Sequence, residues 1–112
     1  MSTKVFAKLP DPPYYAVIFS SQRTAGDQGY GATAQRMGQL AEQQPGFLGM
    51  ESTRNADGFG ITVAYFTDEA SIAAWKANME HREAQRMGHT TWYEHFELRI
   101  AKVERAYGGP AR

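Results

Sequence analysis

The stretch Ala74–Arg105, AWKANMEHREAQRMGHTTWYEHFELRIAKVER, decides how this chain is read. It sets a tryptophan and a histidine on a helical segment, stops at Gly88, and turns into a long strand from Trp92 to Arg105. Asn78 caps a restart of the helix, with Glu80 and His81 in its first turn. The stretch therefore reads as one wall of a small-molecule pocket, followed by the strand that closes the sheet beneath it.

Upstream of that stretch the chain alternates strands and helices. Tyr14–Ser20, YYAVIFS, is rich in aromatic and β-branched residues and predicts a strand; polar Ser21–Gly29 predicts a loop. Tyr30, Thr33, Met37, Leu40, Ala41 and Gln44 recur at helical spacing, and Pro45-Gly46 ends that helix. Phe47–Arg54 and Phe59–Phe66 predict two strands joined by the turn Asn55-Ala56-Asp57-Gly58. Thr67-Asp68-Glu69 caps a second helix whose inner face carries Ile72 and Trp75. The order β-α-β-β-α-β predicts an α+β, ferredoxin-like fold: a four-stranded antiparallel sheet with both helices on one face. Yet the strands are apolar on both alternating faces. A second copy of the chain, packed sheet to sheet, accounts for the face that the helices leave bare.

Composition narrows the function classes. A length of 112 residues suits one domain, which we divide as an extended arm at 1–13, a domain at 14–107 and a flexible tail at 108–112. The 12 Lys and Arg side chains balance the 12 Asp and Glu, so overall charge gives no attraction to nucleic acid or anionic lipid. No apolar run reaches membrane-spanning length, and the first ten residues lack a signal-peptide core, which predicts a cytoplasmic protein. Cysteine is absent, so disulfides and thiolate chemistry are excluded.

QQPGFLG at 43–49, AAWK at 73–76 and WYEHFELRIAKVER at 92–105 follow the first helix, sit on the second and close the chain. In that order they resemble the antibiotic biosynthesis monooxygenase family, over roughly Tyr14 to Tyr107. The resemblance implies a dimeric α+β barrel with a pocket between each subunit's sheet and helices. It implies either oxidation of anthrone-like or quinol-like aromatics with dioxygen, needing no metal, flavin or haem, or haem binding and ring opening. Trp75 matches the tryptophan that lines the pocket in both branches. The haem-degrading branch also carries an asparagine on the first strand and a histidine about three turns past the tryptophan. YYAVIFS has no asparagine, and Gln85 stands at the second place. Ser71 stands where the oxidising branch has an asparagine.

The residues themselves support a site. His81, Ala84, Gln85 and Gly88 fall at i, i+3, i+4 and i+7, so they share one helix face, and the two small residues leave space beside the imidazole and the amide. An imidazole titrates near neutral pH and suits removal of a phenolic or benzylic proton. We expect His81 and Trp75 as catalytic residues, with Gln85, Met37, Tyr65, Phe66 and Ser71 as substrate contacts. Met37, Tyr65 and Phe66 make the cavity apolar, which suits a flat hydrophobic ligand. His89 follows the helix end and is structural. His95, with Tyr93, Glu97 and Arg99 on one strand face, belongs to an interface. The histidines lack the carboxylate pairing of a metal site, and no metal or cofactor is expected. The leading reading is a cofactor-independent monooxygenase working as a homodimer. The alternatives are a haem-binding or haem-degrading protein and a non-catalytic binder of a hydrophobic metabolite.

Overall fold

Aromatic and β-branched side chains open a ten-residue strand, β1 (Tyr14–Arg23), which takes an inner place in a four-stranded sheet. The computed structural model describes residues 6–26, 35, 38–79 and 93–110, with backbone alone at 78 and 79. After β1 come α1 (helical over 38–42), β2 (Phe47–Arg54), β3 (Phe59–Phe66), α2 (Glu69–Met79) and β4 (Tyr93–Val103). The spatial order is β2-β3-β1-β4, and every neighbouring pair is antiparallel. This is the expected ferredoxin-like arrangement.

Strand register sorts the side chains into two faces, because residues paired across a ladder point the same way. One face carries Val17 beside Ala64 and Ile100, Phe19 beside Thr62 and Leu98, and Met50 beside Ala64. Gly38 of α1 approaches the tip of Met50, so this is the helix-side face. The opposite, open face carries Ala16 beside Tyr65 and Ala101, Ile18 beside Val63 and Arg99, and Glu51 beside Val63. Residues of the N-terminal arm lie on this open face at β2. Ala7 donates its backbone N–H to Glu51 Oε2 at 3.0 Å, and Ala7 and Leu9 press against Gly49.

Local chemistry fixes the joints. At the hairpin, Asn55 Oδ1 accepts from the N–H groups of Asp57 and Phe59 at 2.9 and 3.1 Å, and Gly58 takes φ +97°. After α1 the N–H groups of Gln43 and Gln44 close onto the carbonyls of Leu40 and Ala41, three residues back. Gly46 then turns at φ +86°, and its carbonyl accepts from the N–H of Thr67 at 2.8 Å. A Cβ at Gly46 would collide with the Ser71 hydroxyl, so only glycine allows the exit of α1 to meet the entrance of α2.

Three boundaries differ from the sequence reading, one of them the end of β4, which stops at Val103 and not at Arg105. Strand β1 continues through Ser21, Gln22 and Arg23, a segment whose polar residues read as loop. They pair on both sides, with Gly60 and Phe59 of β3 and with Phe96, His95 and Tyr93 of β4. Ser21 is 2 % exposed, and its hydroxyl and carbonyl both accept from the Arg54 guanidinium. Tertiary pairing overrides local propensity there. Gln44, expected on the helix, lies in the turn after α1.

Candidate functional site

Helix α2 begins at a cap. Asp68 Oδ1 accepts both the N–H and the hydroxyl of Ser71, each at 2.8 Å. The backbone hydrogen bond from Ser71, then that from its hydroxyl, holds the Asp68 carboxyl below the usual carboxylate range. The sequence reading makes Ser71 a substrate contact, but its hydroxyl is committed to Asp68 and lies against Gly46. Ile72 follows, buried, and Trp75 comes one turn later, half-buried. The indole is thus neither sealed in the core nor free in solvent.

Phe66 and Tyr65 are neighbours on β3 and therefore point to opposite faces. Phe66 lies on the helix-side face, 0 % exposed, with its ring edge-on to Phe47 at 5.6 Å. It forms the floor of the core and leaves no surface for a ligand. Tyr65 lies on the open face, where its hydroxyl donates to Glu51 Oε1 at 2.8 Å and its ring meets Tyr14 edge-on at 5.7 Å. Burial, then the hydrogen bond to Glu51, pushes its pKa up to about 12. The expectation that both flank one cavity fails, because strand alternation separates them. Met37, His81, Gln85, His89 and Trp92 lie outside the described residues.

The last strand holds a further correction. His95, Glu97 and Arg99 share the open face, and His95 Nε2 lies 2.7 Å from Glu97 Oε2, both side chains exposed. Tyr93, expected beside them, is on the other face. A register shift opposite Gln22 and Arg23 pairs Arg23 with Tyr93 and turns the tyrosine over. Its ring meets Phe19 at 5.4 Å and Phe96 at 6.0 Å, and Phe19 and Phe96 are themselves 5.4 Å apart. Leu98 and Ile100 continue the same face at 45 and 50 % exposure. Across the sheet in the Phe19 row, the hydroxyls of Ser52 and Thr62 are 2.7 Å apart. The sequence reading misses this group, because it sets Tyr93 on the face of His95, Glu97 and Arg99, and a one-residue shift leaves no compositional mark.

Two hollows bounded by described residues lie elsewhere. One of about 590 Å³ lies along Lys102–Arg105 and Tyr107, and one of about 410 Å³ sits between Gln22, Arg23, Asp57 and Glu94. Both are open and polar-rimmed, and Trp75 lines neither. Among the described residues, no three His, Asp or Glu side chains gather as a metal site would require, and no helix is long and apolar enough to cross a membrane.

Comparison with known proteins supplies the family. The sequence model described as antibiotic biosynthesis monooxygenase matches residues 13–87. An uncharacterised protein of Bacillus subtilis, YqjZ, is 54 % identical over 99 residues, covering 88 % of this chain and 87 % of YqjZ. Protein SO0527 from Shewanella oneidensis has a similar fold, with a TM-score of 0.70 at 13 % identity over 90 % of this chain and all of that one. A point mutant of SnoaB, a cofactor-independent oxygenase from Streptomyces nogalater, gives a TM-score of 0.66 at 15 % identity, covering 83 % of this chain and 95 % of that one. With the family model spanning well over half its length, the chain belongs to the antibiotic biosynthesis monooxygenase family.

Proposed function

We propose that the protein is a cytoplasmic, cofactor-independent monooxygenase that oxidises a small anthrone-like or quinol-like aromatic compound with dioxygen. The observation that carries this reading is the half-buried Trp75, held on α2 one turn beyond the buried Ile72. An indole in that state can stack on an aromatic ring and still donate its N–H. Family membership supports the reaction class.

In this reading His81 takes a proton from the acidic CH₂ of an anthrone. The carbanion gives an electron to dioxygen, and recombination forms a carbon–oxygen bond. Loss of water from the resulting peroxide leaves the quinone: one oxygen atom stays in the product and the other departs in water. The substrate supplies the electrons, and the protein supplies a base and a dry, oriented setting. Gln85, Met37 and Trp75 complete the proposed contacts. A homodimer through the open face belongs to the same proposal, because Phe59 and Ile61 stand exposed there. Sedimentation of the wild type and of Ile61→Asp tests it; a dimer that Ile61→Asp reduces to monomer is expected, and a monomeric wild type contradicts it.

Oxygen uptake over a panel of anthrones and quinols tests the chemistry. Turnover of at least one member is expected, with His81→Ala slowing it by roughly a hundredfold or more. Absence of turnover across the panel, or an unchanged rate in His81→Ala, removes the proposal.

A further inference from the structure

We propose that the N-terminal arm is a strap across the β2 side of the open face, and that this face receives a second copy of the chain in full only when the strap lifts. The proposal goes beyond the homodimer reading and rests on it for the occupant of the face. The arm lies flat on the sheet: Ala7 and Leu9 are half-buried, while Phe6, Lys8 and Pro10 are exposed. Pro10, Pro12 and Pro13 lack backbone donors, so the segment is poorly suited to pair along an edge and lies over the face instead. Two features of β2 receive it. A Cβ on Gly49 would stand 2.9 Å from the Ala7 Cβ, so the missing side chain is what lets the arm down. Two residues on, the Glu51 carboxylate accepts the Ala7 N–H on one oxygen at 3.0 Å and the Tyr65 hydroxyl on the other at 2.8 Å, which ties arm to sheet.

Thickness makes the arm and a second sheet exclusive at this place. Sheets packed face to face sit about 10 Å apart, and the side chains of both fill that gap. The Ala7 Cα lies 3.9 Å from where a Gly49 Cβ would stand, so arm backbone occupies the layer that a partner's side chains need. The face divides accordingly. In the row Gly49, Tyr65, Ala16, which the arm meets at Gly49, Ala16 is 5 % exposed, as is Tyr14 against the Tyr65 ring. Two rows further along, Ile61 is 38 % exposed, and Phe59 beyond it 44 %. The strap is also light. Among the described residues its polar hold on the sheet is the Ala7–Glu51 bond, so it opens at small cost. An arm closed about two thirds of the time in each copy would weaken association about ninefold, because both copies must be open together.

A reversible lock tests the strap. The chain has no cysteine, so Ala7→Cys with Gly49→Cys can form one disulfide, which holds the arm down after a rise of about 1 Å. Sedimentation equilibrium of the full-length variant should find monomer when it is oxidised and dimer when it is reduced, the reduced form serving as the control for folding. Ala7→Pro works in the other direction. It removes the donor to Glu51 without touching the sheet, and should lower the dimer Kd severalfold against wild type. Equal association of the oxidised and reduced forms, a cysteine pair that does not oxidise, or a dimer that Ala7→Pro leaves unchanged or weakens overturns the strap. If wild type and Ala7→Pro dimerise equally and oxidation changes nothing, the homodimer stands and the strap alone fails. If no form dimerises, Ala7→Pro included, the homodimer reading fails and the strap falls with it.

Discussion

The two faces of the sheet are built from alternate residues of the same strands, yet they are organised differently. The helix-side face gathers Phe19, Tyr93, Phe96, Leu98 and Ile100 into an apolar wall beside a pair of hydroxyls. The open face is mixed. At β2 it carries Glu51, which accepts from Tyr65 and from the arm at Ala7, and at β4 it carries His95, Glu97 and Arg99. On the helix-side face the rings of Phe19, Tyr93 and Phe96 pack on one another; a face with charges at its edge and Phe59 and Ile61 exposed suits another protein surface. The difference teaches that parity along the strand, not residue type, assigns the work, and that one register shift reassigns Tyr93.

That comparison can be broken at its core first. Phe66→Ala removes the most buried ring of the helix-side face and should cost about 4 kcal/mol in urea unfolding. A loss under about 1 kcal/mol would show that the face packs elsewhere. Gly46→Ala comes next, at about 3 kcal/mol, because it meets both a left-handed φ and the Ser71 hydroxyl.

On the open face, Tyr65→Phe removes the bond to Glu51 and should cost about 1 kcal/mol, since the pair is only part-buried. It also carries a pH signature. The folded chain holds the Tyr65 proton up to about 12 against 10.0 in the unfolded chain, so unfolding releases it between those values. The stabilisation is complete below pH 10 and is lost as pH rises towards 12. Ultraviolet titration should find one late tyrosine in the wild type that is missing from Tyr65→Phe.

The smallest effect is at Asp68, where the cap is exposed. Its carboxyl titrates below the ordinary range when folded, so the unfolded chain takes up the proton first. The contribution is present at neutral pH and fades as pH falls through the folded value. Asp68→Ala should lower thermal stability near neutral pH, and the gap to wild type should narrow in acid. A gap independent of pH would dissociate the cap from its charge.

Much of this fold is legible in the sequence because its signals are local. The YYAVIFS and FGITVAYF runs, the asparagine-to-glycine hairpin and the Asp68 cap each act through neighbours along the chain. The site is less legible because its geometry depends on pairing. Aromatic character groups Tyr65 with Phe66, although a period of two sends them apart. Ser71 stands out for its place before Trp75, but the cap takes its hydroxyl. Tyr93 changes faces through a shift that only the partner strand reveals, and the polar Ser21–Arg23 segment becomes strand because two neighbours pair with it.

The most direct measurement is oxygen consumption with 1,8-dihydroxy-9-anthrone, corrected for its spontaneous oxidation. We expect one dioxygen taken up per anthrone converted to the quinone, with the rate falling to background in His81→Ala. Uptake no faster than in buffer, or equal rates with and without the imidazole, would contradict a monooxygenase that works through its own side chains.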